Sequence, residues 1–479
     1  MSSRRLAFPQ IKQYVSAEAL RARLDELGLD LPVDDVVDPA GDLSRPLQVP
    51  SADPVAPMVA PNRFAILPME GWDAEPDGAP SDLVRRRWRR FGASGAGLVW
   101  GGEAAAVRSD GRANPQQLVI AGHTVDAVAS LRAELLDAAA EVGVAPVVGL
   151  QLTHSGRWSR PNGEPAPRTA RLDPVLDERV GAGPSTLLSD DELDELVATF
   201  VAAAGLAADA GFDFVDVKAC HGYLGHELLM AHDRPGRYGG DLAGRTTFLR
   251  SIVDGIRSAR PELGIGVRLS LYDPGPLRPG PDGVVEPVPG SLPGFGSVGA
   301  DGEPDLSDAT EVVRLLADHG VRMICTTASS PYWAPAVQRP AWFPPSDGAL
   351  PARDPLVDAV VMLRAARDLR AAAPAGTVVV GTGFTYLQQL LPEAGQALVR
   401  EGWVDSVGLG RMVLSYPELP ADVLGGRSVQ TRKVCRTFSD CTTAPRNGLV
   451  SGCYPLDPFY KERPERVELA AIKRRMRQS

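Results

Sequence analysis

From residue 64 onward the chain alternates between two patterns. Short apolar runs of strand length recur: FAILPM (64–69), GLVWGGEA (97–104), PVVGLQL (146–152), FVDVK (214–218), IGVRLS (265–270), MICTTAS (323–329), TVVVGTG (377–383) and DSVGLG (405–410). Most lack a polar–apolar alternation, as strands do when both faces of a parallel sheet are covered. Between them lie segments with apolar residues at helical spacing: SDLVRRRWRRFGASG, TVDAVASLRAELLDAAAEVG, DDELDELVATFVAAAGLAADAG, TTFLRSIVDGIRSARPE, DATEVVRLLADHG, DPLVDAVVMLRAARDLRAAAP and YLQQLLPEAGQALVREG. Ser189 followed three residues later by Glu192 predicts a capping box at one helix start. Eight strand signals alternating with helices predict an α/β fold, a closed (β/α)8 TIM barrel. A doubly wound sheet is disfavoured, because no G-x-G-x-x-G turn follows the first strand.

Three regions fall outside the repeat. Residues 1–55 form an N-terminal extension, with one amphipathic helix in SAEALRARLDELG; residues 56–425 form the barrel; residues 426–479 form a tail with three cysteines and a basic helix at its end. Within the barrel, residues 273–306 are so rich in Pro and Gly that neither helix nor strand is expected. They read as a long loop insertion over the barrel mouth, a lid candidate.

Charge and cysteine content narrow the function classes. The chain of 479 residues carries a net charge of −10 with scattered basic residues, which argues against a nucleic-acid or membrane-surface partner. Five cysteines, an odd number, suit a reducing compartment better than a disulfide framework. Arg4 and Arg5 have no apolar region after them, so export is not expected, and no run of about 18 apolar residues predicts a membrane span. The expectation is a soluble, cytoplasmic protein.

In such barrels the reactive groups gather at the C-terminal ends of the strands. Those ends carry Pro68, Met69 and Glu70; Glu103 and Ala104; Gln151 and His154; Lys218, His221 and Tyr223; Arg268; Gly381, Thr382 and Gly383; and Gly410 with Arg411. Glycines on the last two strands followed by an arginine offer a phosphate exposed N–H groups and a guanidinium fork. By themselves the glycine pairs read equally well as turns.

The segments NRFAILPME (62–70), GAGLVWGGEAAAV (95–107), VVGLQLTHSGR (147–157), GFDFVDVKACHGYLGHELL (211–229), RYGGDLAGRTTFL (237–249), GVRLS (266–270) and VGLGRMVLSYPELP (407–420) together resemble the old yellow enzyme family. These are FMN-dependent NAD(P)H:flavin oxidoreductases on this barrel. The resemblance implies that Pro68, Met69, Ala104 and Gln151 line the flavin ring and that Arg268 approaches its N1/O2 edge. It implies that Gly383, Gly410 and Arg411 hold the FMN phosphate. It further implies that His221 hydrogen-bonds an activating oxygen of the substrate while Tyr223 delivers a proton to an alkene carbon. The expected activity is reduction of an activated C=C in an unsaturated carbonyl or related metabolite, with NAD(P)H as electron donor. Two readings stand beside it: a dehydrogenase oxidising an amine or saturated ring, and a barrel that binds flavin or another ligand without turnover.

Two positions depart from the family pattern. Lys218 stands where a histidine is usual, and Glu70 where threonine or cysteine is usual. A lysine there suits an anionic oxygen or a carboxylate, and charged residues resist unpaired burial. Glu70 and Lys218 are therefore expected to form an ion pair across the substrate face. The tail VCRTFSDCTTAPRNGLVSGC resembles the iron–sulfur segment of the dienoyl-CoA-reductase-like branch, but Phe438 stands where a fourth cysteine is expected. Cys435, Cys441 and Cys453 supply three thiolates where a cubane cluster takes four. Hence neither an iron–sulfur cluster nor another metal is expected, and the tail reads as a structural relic lacking the second domain of that branch. Tyr332, Trp333, Trp342 and Phe343, in the loop 329–345, are candidate walls for a ring substrate and equally candidates for surface packing or a subunit contact. His154, His226 and His232 are assigned no chemistry. The partner expected is a small molecule, anionic or ring-containing, with a homo-oligomer allowed.

Overall fold

The computed structural model describes residues 8–51, 58–281, 284–299, 303–346 and 348–476. The boundary at residues 55–56, and Arg4 and Arg5, lie outside the described residues. Eight parallel barrel strands close on themselves: β1 (Phe64–Ile66), β2 (Leu98–Val99), β3 (Val147–Thr153), β4 (Phe214–Ala219), β5 (Gly264–Ser270), β6 (Met323–Thr327), β7 (Val378–Gly381) and β8 (Ser406–Leu409). β8 pairs back onto β1 through Val407 and Phe64, and β1 onto β2 through Ala65 and Leu98, so no edge remains in the ring. A second piece, Ala104–Ala106, continues β2 and pairs with β3, with Ala104 opposite Gln151.

The runs are apolar throughout because every residue of β3, β4 and β5 is buried, helices covering one side and the barrel interior the other. The interior is filled by Ala65, Leu98, Trp100, Val147, Phe214, Met323, Cys325 and Val380, with Trp100 and Phe214 meeting edge to face at 5.4 Å. An antiparallel ribbon, Leu47–Val49 with Met58–Ala60, joins the same apolar cluster and plugs the N-terminal end. What stays open is the opposite end, where the strands present their C-termini.

The helices fall where the periodicity places them, and the capping box forms: Ser189 N donates to Glu192 at 2.8 Å and Glu192 N to Ser189 Oγ at 3.2 Å. The N-terminal helix Ala17–Glu26 buries Leu20 and Leu24 in the main core and ties Arg23 to Asp354 at 2.8 Å.

Two expectations are corrected. The segment YLQQLLPEAGQALVREG is not one helix: a 3-10 stretch, Phe384–Leu390, breaks at Gln388 (φ 56°) before the α-helix Leu391–Arg400 begins. The cause is Pro392, which has no N–H and whose ring clashes with the carbonyl four residues back, that of Gln388. The insertion 273–306 does contain strands, since Leu277–Pro279 pairs with Val285–Pro287 as an antiparallel ribbon. A two-stranded ribbon has an outer edge on each strand, so a proline there sacrifices no ladder bond. The ribbon leans on the loop after β6, Leu277 N donating to Trp333 O at 2.8 Å and Val285 N to Leu350 O at 3.0 Å. None of its described residues lines the cavity at the barrel mouth.

Candidate active site

A cavity of about 240 Å³ opens at the C-terminal ends of the strands. Its wall brings together Pro68, Met69 and Glu70 from β1, Gln151 from β3, Lys218, His221 and Tyr223 from β4, and Arg268 from β5. Gly383 after β7, and Gly410 and Arg411 after β8, complete it. Of the residues assigned to the flavin or to catalysis, Ala104 alone does not reach this wall. β2 breaks after Val99, and Gly101 takes the place beside Gln151 and Pro68; a Cβ on Gly101 would lie 2.9 Å from that of Gln151.

The expected ion pair forms. Lys218 Nζ donates to Glu70 Oε1, with the two side chains 3% and 15% exposed. The other carboxylate oxygen, Glu70 Oε2, accepts from Tyr223 OH at 2.5 Å and from Trp72 Nε1 at 3.2 Å. The ammonium also lies 3.7 Å from the centroid of the Tyr223 ring, a cation–π contact. Tyr223 OH is 3.0 Å from Tyr332 OH, and Tyr332 stacks at 4.3 Å on Trp158. Burial, then the Glu70 charge, push the Tyr223 phenol well above its ordinary range, so it is a full hydrogen-bond donor.

His221 stands apart from this trio. Its ring Nε2 meets Thr327 Oγ1 at 3.0 Å and the Gln338 amide nitrogen at 3.1 Å. That amide donates, so Nε2 accepts and the neutral ring carries its proton on Nδ1. Burial, followed by repulsion from Arg268 and Lys218, drives the His221 imidazole well below its usual range and keeps it uncharged. The turn that aims both residues is strained: His221 has φ 64° and Gly222 φ 76°. A Cβ on Gly222 would lie 2.3 Å from the Trp333 ring, so only glycine fits. His226 closes the turn by accepting from Gly222 N at 2.9 Å, and burial lowers its imidazole to about 3.

The rest of the wall carries donors without acceptors. Arg268 Nη1 reaches Pro68 O at 3.3 Å, while its buried Nε has no partner. Arg411 Nη2 donates to Pro340 O at 2.8 Å, and its buried Nη1 has none. Around the Cβ position of Gly410 there is open space, and Gly383 (φ 106°) turns the chain after β7. Orphaned guanidinium N–H groups beside glycine backbone fit a phosphate. Gln151 Nε2 is committed to Asp216 at 2.5 Å, and burial raises the Asp216 carboxyl to about 6. These residues fit a flavin mononucleotide: a phosphate at Arg411, Gly383 and Gly410, and a polar ring edge at Gln151 and Arg268.

Part of the wall escaped the sequence reading. Beside Tyr332, an expected wall, the loop after β6 supplies Gln338 and Arg339, and the tail supplies Cys441, Thr442 and Arg446. The tail is therefore not only a packed relic; it builds the cavity. Trp333 is instead buried with its Nε1 on Asp273 at 3.0 Å, and Trp342 and Phe343 pack on the tail, Phe343 stacking on Phe438 at 5.3 Å. Among the described residues no group of three or more His, Cys, Asp or Glu is placed to hold a metal ion. No described helix is long and apolar enough to cross a membrane.

Residues 54–279 match the NADH:flavin oxidoreductase / NADH oxidase family. A curated relative, an NADPH dehydrogenase of Bacillus subtilis, is 31% identical over 207 residues, covering 42% of this chain. The match spans 57% of that relative, a little over half its length. Among solved structures, a 2-naphthoyl-CoA reductase in complex with 2-naphthoyl-CoA superposes with TM-score 0.63 at 16% identity, over 88% of this chain and 57% of the other. A histamine dehydrogenase from Rhizobium sp. 4-9 does so with TM-score 0.62 at 19% identity, over 89% and 53%. At such identities the two structures share the fold with this chain.

Proposed function

We propose that this chain, whose residues 54–279 match the NADH:flavin oxidoreductase / NADH oxidase family, is an FMN-dependent oxidoreductase that uses NAD(P)H to reduce an activated C=C. Bound FMN would supply hydride transfer, a reaction no side chain of the cavity can perform. Pro68, Met69, Gln151 and Arg268 would hold its ring, and Gly383, Gly410 and Arg411 its phosphate.

The observation that carries the reading is the Tyr223–Glu70–Lys218 cluster on the cavity wall. A raised phenol is a weak acid that keeps its proton until charge develops on a substrate carbon beside it. The resulting phenolate would sit against the Lys218 ammonium, 3.7 Å from the ring, and beside the Tyr332 hydroxyl, 3.0 Å away. Lys218 would offset the repulsion between that phenolate and the Glu70 carboxylate it faces. Neutral His221, anchored through Nε2, presents Nδ1–H as the donor for an activating oxygen.

One observation favours a second reading. Tyr223 points its hydroxyl at a carboxylate, and a proton acceptor is what oxidation of an amine or saturated ring requires. Anaerobic titration separates the two. Bleaching of the flavin by NADPH or NADH followed by reoxidation with an enone is the expected result; bleaching by an amine alone would favour the dehydrogenase. A protein that takes up no flavin would leave only the ligand-binding barrel.

A further inference from the structure

Beside Arg411, a second guanidinium lines the cavity with donors to spare. Arg339 lies in the loop after β6, just beyond the short helix Pro335–Gln338. Its Nη1 donates to Thr442 Oγ1 of the tail, and its buried Nε and Nη2 have no hydrogen-bond partner. Arg411 Nη2 donates to the carbonyl of Pro340, the residue that follows Arg339. The end of β8 is thus bonded to the chain at Arg339, and Gly383, Gly410, Pro340 and Thr442 share the wall with both arginines.

Buried cations side by side call for a counter-charge. The hydrogen bonds from Arg339 to Thr442 and from Arg411 to Pro340 both go to neutral oxygens. Three nitrogens, Nε and Nη2 of Arg339 and Nη1 of Arg411, stay buried without an acceptor among the described residues. Burial, then repulsion from Arg446 and Arg411, pulls Arg339 well below the usual guanidinium range. A carboxylate brings two oxygens and one charge. A phosphate monoester brings three peripheral oxygens and a charge of about −1.5 to −2 at pH 7, which suits two guanidiniums with several free donors.

We propose that Arg339 joins Arg411 on the phosphate of the flavin mononucleotide and so ties the loop after β6 and the tail to the cofactor. This rests on the FMN reading above and adds to it a residue and a structural consequence. Loop and tail already form one layer: Trp342 N donates to Thr437 Oγ1 at 3.1 Å, Ser439 Oγ to Phe343 O at 2.6 Å and Ser346 N to Thr443 Oγ1 at 3.2 Å. A phosphate shared by the two arginines would join that layer to the C-terminal end of β8, so cofactor uptake tightens the tail.

The test is fluorescence titration of the flavin-depleted full chain, in phosphate-free buffer, with FMN and with riboflavin, its counterpart without the phosphate. The parent should bind FMN at least about a hundredfold more tightly than riboflavin. Arg339→Gln should weaken FMN about tenfold and leave riboflavin within about twofold. Arg339→Lys, which keeps the charge and loses donors, should fall between, and decides in its place if the glutamine variant does not fold. Backbone hydrogen exchange over residues 437–446 should slow more with FMN than with riboflavin in the parent, and alike with both in Arg339→Gln. Unchanged FMN affinity in the variants overturns the proposal, and so does equal weakening of both flavins, the mark of a merely structural role. Exchange slowed equally by the two flavins in the parent overturns the tie to the tail. A parent that takes up neither flavin defeats the cofactor reading. The rise in its melting temperature with inorganic phosphate then decides the anion site, which stands if Arg339→Gln abolishes the rise and falls if it does not.

Discussion

Replacing Glu70 by glutamine removes one charge from a nearly buried pair and leaves the Lys218 ammonium, 3% exposed, with no counter-ion. Two unit charges about 3 Å apart attract by roughly 5 kcal/mol at an effective dielectric of about 20. Desolvation takes back part of this, the more so because Glu70 keeps 15% exposure. A net coupling of about 2–4 kcal/mol is left. A double-mutant cycle isolates it: Glu70→Gln, Lys218→Met and the double variant, each unfolded in urea and followed by near-ultraviolet circular dichroism. Each single change should destabilise by roughly 2–4 kcal/mol. The double variant, with no orphaned charge, should lose less than the sum by about the coupling. The amide oxygen introduced by Glu70→Gln can still accept from Tyr223 and Trp72, so the cycle reads the ion pair rather than the wider network. Additivity to within about 0.5 kcal/mol would mean that the pair does not couple, and the electrostatic account of the site would fail.

Other outcomes follow from the same geometry. Tyr223→Phe should lower turnover with an enone by about a hundredfold or more while leaving flavin reduction by NAD(P)H within a fewfold, as stopped-flow half-reactions would separate. Arg411→Ala should weaken FMN binding by about a hundredfold, roughly 3 kcal/mol for a lost charge-assisted phosphate contact, read from release of fluorescent flavin. Gly222→Ala should cost at least about 2 kcal/mol, since its Cβ would lie 2.3 Å from Trp333 at φ 76°; a melting temperature equal to the parent's would contradict this. Asp216, raised to about 6 by burial, favours its neutral form in the fold. Its contribution is therefore fully present below the ordinary carboxylate range and lost as pH rises toward 6, a change of roughly 2–3 kcal/mol. Asp216→Asn, which keeps an acceptor for Gln151, should remove that slope from the thermal stability profile between pH 4 and 6.

The barrel was legible because each strand is a short apolar run and each helix a longer periodic one. Strand ends could be read to within a few residues, so the strand-end rule picked out Glu70, Lys218, Tyr223 and Arg411, which all line the cavity at the barrel mouth. The Glu70–Lys218 pair was legible from the physics of burial, since two lone charges placed at the same end of one barrel need each other. What escaped has no period. Arg339 lies in a proline-rich loop and Arg446 beyond the barrel, and no local pattern says that the tail folds back across the mouth. Ala104 was misplaced for a similar reason: a strand that breaks at Gly101-Gly102 and resumes cannot be seen as two pieces in one apolar run. The ribbon within residues 273–306 was hidden by its prolines, which a two-stranded edge tolerates. The Gln388 break shows the converse, where Pro392 was in view but the strength of the flanking helical pattern outweighed it.

The central claim is that the mouth of this barrel holds one FMN beneath the Tyr223–Glu70–Lys218 cluster. The most direct measurement is the flavin content and visible spectrum of the purified full chain, before and after incubation with FMN and gel filtration. The account predicts one FMN per chain, bleached anaerobically by NADPH or NADH, with Arg411→Ala losing the flavin on the column. A parent protein that remains colourless after incubation, or a flavin held equally well by Arg411→Ala, would contradict it.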